Sequence, residues 1–197
     1  MATNALVFVL QTLGQLWIFT ILLRFLALAL GVPLRARAGN PIADFVIALT
    51  NWVVLPLRRI LPSINRFDLA SFIAAYAATF LLSLTLLALV GVFNADATSF
   101  WLGLLFYSAV ELLKLTIYLF TGLLIVQAVL SWVNPHHPIG PFFNSLTRFL
   151  LKPVQRIIPL IGGIDLSPLL VIIFLQVLLI APVAWLGATA RLLLARS

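Results

Sequence analysis

The sequence contains no cysteine. That excludes a disulfide framework, a thiol nucleophile and a thiolate metal site. Charge is nearly as scarce. Asp, Glu, Lys and Arg make up 9% of the residues, against about a quarter in soluble domains. No serine-hydrolase, zinc or nucleotide-binding motif is present, so no catalytic constellation announces itself. A basic leader is also missing. Residues 1–10 hold no Lys or Arg, and the apolar run Leu6–Leu30 is too long for the core of a cleavable signal, so it is expected to remain as a span.

What is there is apolar: 63% of the residues are hydrophobic and the mean hydropathy is +1.20. A water-soluble domain of this size still exposes about 30% of its chain's surface. The expected solvent is therefore lipid. The net charge is +7, and the basic residues are dispersed over loops and helix ends. A polyanion site needs a dense patch on a wet face. The charge is read as orientation in the bilayer with anionic headgroup contact, and not as direct nucleic-acid binding.

The chain also repeats itself. Residues 41–69 align without gaps onto 138–166 at an offset of 97, with 12 of 29 positions identical. The matches include Pro41/Pro138, Thr50/Thr147, Pro56/Pro153, Arg59/Arg156, Pro62/Pro159 and Asp68/Asp165. Apolar bias alone does not align prolines, an arginine, a threonine and an aspartate. Each copy is flanked by long apolar segments, so the unit is span, amphipathic segment, span.

The expected fold is an all-α polytopic membrane protein with four transmembrane helices in two parallel repeats. Each repeat carries an interfacial, Pro-broken amphipathic helix. The first repeat covers 6–93, a linker with a short helix 94–112, and the second repeat 113–194. The spans are placed at Leu6–Leu30, Leu69–Phe93, Leu113–Val133 and Ser167–Leu194, with Pro182 as a kink. A continuous helix from Phe100 to Val133, about 50 Å long, is an open variant.

In the second amphipathic segment Asn144, Arg148, Lys152 and Gln155 or Arg156 share one face, opposed by Phe142, Phe143, Leu146, Phe149 and Leu150. Such a helix lies in the membrane interface. Pro56 and Pro153, lacking an N–H, are expected to break or restart these helices. An even number of crossings separates the two copies, so both fall on one side. That side holds Arg35, Arg37, Arg58, Arg59, Arg66, Arg148, Lys152 and Arg156; the other holds Lys114, Arg191 and Arg196. The bias puts the repeated segments in the cytoplasm and both termini outside the plasma (inner) membrane.

Ser131-Trp132-Val133-Asn134-Pro135, then the run Leu151 to Pro159, then Gly162-Gly163-Ile164-Asp165-Leu166-Ser167-Pro168, with Gln176 beyond, resembles the YggT (YlmG-like) family. Pro56 to Pro62 with Phe67-Asp68-Leu69 is a degenerate copy, with Asn65-Arg66 for the glycine pair and Ser71 for the last proline. The resemblance covers roughly residues 10 to 190. It implies a small bacterial or plastid membrane protein. Relatives of that kind are tied to cell division and nucleoid distribution, to cytochrome maturation, and to osmotic or potassium stress tolerance. It implies no catalytic activity, and no cofactor is expected.

Several residues stand out. Asp68 and Asp165 open spans two and four. They are read as helix caps, with ion pairs to Arg59 and Arg156 compatible; a shared proton in a carboxylate pair is the chemical alternative. Arg59 and Arg156 sit between the prolines of Pro56/Pro62 and Pro153/Pro159. They either bind a lipid phosphate or partner carboxylate, or pair with the aspartate nine residues on. Arg24 lies within span one, within snorkelling reach of the interface; otherwise an intramembrane charge marks function. Gln127 takes its place in the second half by loose alignment. Gln127, Gln176, Tyr118 and Thr121 are read as interhelical hydrogen-bonding groups. His136 and His137, adjacent and without a third ligand nearby, are read as loop bystanders. Gly162 and Gly163 form the turn back into the bilayer.

The function expected is a non-enzymatic membrane factor. It would organise or assemble other membrane or division components through the basic cytoplasmic face. Its partners would be the bilayer, an unidentified membrane protein and a possible second copy of itself. The alternative is an ion or osmolyte channel or transporter linked to osmotic stress tolerance, with a path near Arg24, Gln127 and Gln176. An intramembrane hydrolase has only the aspartate pair in its favour.

Overall fold

A computed structural model describes residues 2–32, 34, 41–61, 63, 67–94, 98–134, 136–157 and 165–195. Its secondary structure there is helical, with no strand among the described residues. Helix α1 spans Ala2–Ala29, α2 Pro41–Ile60, α3 Leu69–Leu89 and α4 Thr98–Val133. Helix α5 spans Gly140–Gln155 and α6 Ser167–Leu178; a π-helical turn over Leu179–Val183 then leads into α7, Ala184–Ala195. Pro62, Pro159, Gly162 and Gly163 fall outside the described residues.

Local chemistry sets the helix ends. Gly31 takes φ 72°, where a side chain would be strained. Its N–H bonds the Leu28 carbonyl at 3.0 Å, and the next N–H, from Val32, bonds Ala27 at 2.7 Å. This pair of back-bonds is the glycine stop of a helix. Gly91, at φ 80°, ends α3 in the same way, with Val92 bonding Leu87 at 2.9 Å.

One alternative is decided and one expectation changes. The continuous variant is the one observed before and through span three: α4 is one helix of 36 residues, about 54 Å at 1.5 Å per residue. The prolines do not break the amphipathic helices. Pro56 lies inside α2 and Pro153 inside α5. Each proline occupies the last turns and denies a partner to only one carbonyl, that of Trp52 or Phe149. Both helices run on past the missing bond, to Ile60 and Gln155. By contrast, Pro182 does disturb its helix, as expected; the π-turn is the form the disturbance takes.

The two halves pack alike. Helix α1 packs on α3, with α2 against both; α4 packs on α6 and α7, with α5 against α4 and α6. Contact between α3 and α4 joins the halves. The contact surfaces use small residues, as helices do where lipid supplies no hydrophobic drive. Ala70, Ala74, Ala75 and Ala78 bury one stripe of α3. Gly14 faces Leu82 of α3, and Gly103 faces the Leu194 backbone, where an added Cβ would sit 3.2 Å from its nitrogen. Large apolar side chains point outward instead, among them Phe8, Leu13, Leu81, Phe174, Ile180 and Trp185.

Among the described residues, five helices are long and apolar enough to cross a membrane: Thr3–Ala29, Pro41–Ile60, Leu69–Leu89, Thr98–Val133 and Ser167–Ala195. Helix α2 is therefore a fifth candidate beside the four expected spans. At 16 residues, α5 is shorter than any of them.

Candidate functional site

The polar side chains of the first half converge where α2 crosses α1 and meets the start of α3. On α2, Val46, Thr50 and Val54 are buried at four-residue spacing, which keeps them in one row. Arg58 is the next position of that row. Its guanidinium reaches Asp68 in two bonds, Nη2 to Oδ2 at 2.6 Å and Nε to Oδ1 at 3.3 Å. The Asp68 side chain is 2% exposed and that of Arg58 36%. Ser71 donates its hydroxyl to the same carboxylate at 2.5 Å. Two turns back along the row, Thr50 accepts from Arg24 Nη1 at 2.7 Å, and Asn51 accepts from the same nitrogen at 2.9 Å. Thr50 in turn donates to the Val46 carbonyl at 2.6 Å.

The second half repeats this wiring with uncharged donors. Phe143, Thr147 and Leu151 form the buried row of α5, and Gln155 is its next position. Gln155 donates to Asp165 at 2.7 Å. Thr147 donates to the Phe143 carbonyl at 2.9 Å and also hydrogen-bonds the Gln127 side chain. Offsets of 97 relate Thr50 to Thr147, Arg58 to Gln155 and Asp68 to Asp165. Arg24 and Gln127 thus do equivalent work, each tying a span to its amphipathic helix.

These contacts correct the expected pairing. Asp68 pairs with Arg58, not Arg59, and Asp165 pairs with Gln155, not Arg156. Arg59 and Arg156 are exposed. The reason is the unbroken helix: once α2 continues through Pro56, the row of positions 50 and 54 arrives at 58, and residue 59 is turned about 100° away. The capping expectation divides. Asp165 accepts the Ser167 backbone N–H at 2.9 Å, though from the position before the N-cap of α6, Leu166, which makes no side-chain cap bond. Asp68 stands at the N-cap position of α3 without a side-chain cap bond, its carboxylate being committed to Arg58 and Ser71. Arg24 does not snorkel to water, since it is 4% exposed and held by α2.

Both aspartates stay ionised more readily than usual. Burial alone would raise the Asp68 carboxyl. The hydrogen bonds from Arg58 and Ser71, with the charges of Arg58 and Arg24, outweigh burial and hold it below the ordinary carboxylate range. Asp165 is lowered likewise, its burial outweighed by bonds from Ser167 and Gln155. Each aspartate is engaged by partners from its own half, which gives the shared-proton reading no support. His137 accepts the Ile139 N–H at Nδ1, 3.3 Å away, shaping the turn before α5.

The polar face of α5 lines a concavity of about 570 Å³ with Gln127, Ser131, Asn144, Arg148, Lys152 and Asp165 on its walls. Neither Arg148 nor Lys152 forms an ion pair with a described residue. A second cavity, of about 580 Å³, lies near the opposite ends of the helices, between the halves. Arg24, Gln127 and Gln176 do not line it. Sequence reasoning missed it because its polar residues come from four separate segments. One signal was available: Tyr107, Glu111, Lys114 and Tyr118 recur at i, i+4, i+7 and i+11, a polar stripe on one face of α4.

The CCB3/YggT family matches residues 3–89 and 106–186, one stretch in each half. The chain belongs to this family. A relative from Vibrio alginolyticus, described as an uncharacterized protein in the proC 3' region, is 37% identical over 174 residues, covering 88% of this chain and 90% of its own. Escherichia coli YggT, also described as uncharacterized, is 32% identical over 194 residues, covering 97% and 96%. The descriptions of these relatives name no enzymatic activity. No solved structure matches the chain.

Proposed function

We propose that this CCB3/YggT protein is a non-enzymatic integral membrane factor that organises other membrane or division components through its basic face. In this reading α1, α3, α4 and the α6–α7 segment span the inner membrane. Helices α2 and α5 lie along its cytoplasmic interface, and both termini are outside. The sectors of α2 support the interfacial placement. Its buried row (Ala43, Val46, Thr50, Val54) packs on the spans, and Phe45, Leu49 and Trp52 are exposed on the far flank. Asp44 and Asn51 occupy a narrow polar sector between these flanks, the sector that would face water.

The observation that carries the function is the α5 face. Arg148 and Lys152, one turn apart, stand exposed beside a polar concavity. The helix below them is fixed by Thr147 and Gln127. Two cations that form no ion pair with a described residue fit an acidic segment of a partner membrane protein. Crosslinking and recovery from native membranes tests this. Wild type should retain a specific membrane partner, and Arg148→Glu with Lys152→Glu should lose it while remaining folded. Retention of the same partners by the charge-reversed protein refutes the reading. Loss of association with anionic lipid vesicles alone would instead make the face a headgroup site.

A further inference from the structure

The cavity between the halves is the least explained feature of the fold. Gln11 and Gln15 of α1 reach it, with Thr79 and Ser83 of α3, Tyr107, Glu111, Lys114 and Tyr118 of α4, and Arg191 of α7. Its volume, about 580 Å³, lies in the range of small-ligand sites, roughly 300–1,000 Å³. Counting along α4, Glu111 is 16 residues from Gln127, about 24 Å at 1.5 Å per residue. The cavity is thus far from the α2 and α5 side. One of its lining residues, Leu115, also belongs to the packed cluster of Ile18, Ile21, Leu22, Ala74, Ala75 and Ala78.

Within lipid, an unbonded polar group costs several kcal/mol. Gln11 and Gln15, one turn apart on α1, line the cavity, and neither side chain hydrogen-bonds another described residue. Lys114 bonds Glu111 at 2.8 Å, and Arg191 donates through Nε to the Gly187 carbonyl at 3.2 Å. Lys114 and Arg191 against Glu111 leave one positive charge in excess. The wall opposite is the π-turn, which contributes Leu179 and Val183; such turns recur at functional sites.

We propose that this cavity is a binding site for a carboxylate or phosphate oxyanion on a small polar molecule. Arg191 and Lys114 take the oxyanion, and the amides of Gln11 and Gln15 take the remaining polar groups. The oxyanion comes either from a free solute or from a lipid headgroup.

The absence of native cysteine makes the test clean. Ser83→Cys places a thiol in the cavity, and Ala75→Cys places one in the packed cluster beneath it. Both proteins are studied in phosphatidylcholine nanodiscs with membrane-impermeant thiosulfonates of opposite charge. The Ser83→Cys thiol should react about tenfold faster with the anionic reagent than with the cationic one, as a focused positive field dictates. Arg191→Gln, at an exposed side chain, should shrink that ratio. Ala75→Cys should not react. Inorganic phosphate slows the Ser83→Cys reaction if the ligand is a free oxyanion. Phosphatidylglycerol in the disc slows it, and phosphate does not, if the ligand is a headgroup. An unreactive Ser83→Cys, an absent charge preference, or a rate indifferent to both phosphate and phosphatidylglycerol overturns the proposal.

Discussion

Removing Arg58 should damage this protein, and removing Arg59 should not. The two are neighbours, but only Arg58 reaches Asp68. A hydrogen bond to a charged group contributes about 1.5–3 kcal/mol, and deleting one partner of a buried ion pair costs about 3–5 kcal/mol. Asp68 is buried while Arg58 is 36% exposed, so water screens part of the loss. Arg58→Ala should therefore cost about 1–3 kcal/mol. Asp68→Ala should cost at least as much, because it leaves Arg24 and Arg58 facing each other without a counter-charge. In a double-mutant cycle the pair should be coupled by about 1–2 kcal/mol. Arg59→Ala should stay within about 0.5 kcal/mol of wild type. The assay is the folded fraction of purified protein across a denaturant series in mixed micelles. Additive losses for Arg58 and Asp68, or an Arg59→Ala protein as weak as Arg58→Ala, would refute the wiring.

Acid should act through the same carboxylate. The folded Asp68 has a lowered pKa, so in acid the unfolded chain binds more protons than the native one, and stability rises with pH there. The stabilisation is complete above the unfolded carboxyl value of about 3.9 and is lost as pH falls through the folded one; Asp68→Asn should flatten that limb of a stability–pH profile. In the second half, Thr147→Val should cost about 0.5–1.5 kcal/mol by removing the bond to Gln127, read in the same denaturant series. Gly103→Val should cost about 1–3 kcal/mol by forcing α7 from α4, and Gly122→Ala, with open space around it, should be tolerated. Single cysteines at Arg37 and His136 should label only from the cytoplasm, and at Asp96 and Ser197 only from outside; opposite sidedness of the first two would end the parallel arrangement.

Much of the architecture was legible in the residues. Thr50/Thr147 and Asp68/Asp165 marked equivalent structural points, and the loose match of Arg24 to Gln127 holds in the contacts. The glycine stop at Gly31 was readable because glycine alone takes that backbone conformation cheaply. The partner of Asp68 was not. Proline was taken as a break, yet near a helix end it removes one hydrogen bond and leaves the row of side chains in phase. That phase decides between residues 58 and 59. The cavity was harder still, because Gln11, Thr79, Glu111 and Arg191 become one environment only after four helical segments have packed. Each alone reads as a tolerated polar residue.

The π-turn around Pro182 has a consequence for stoichiometry. Duplication of a unit that binds something would ordinarily supply two sites. Here the closing helix of the first half, α3, is regular over 21 residues, while its counterpart carries a wider turn at Leu179–Val183. The added turn shifts the facing of α7 relative to α6 and forms one wall of the cavity between the halves. Helix α3 lines the same cavity through Thr79, Ser83 and Leu86, but as regular helix. The two halves thus enter one shared cavity by unequal walls, and titration should find one ligand per chain and not one per repeat.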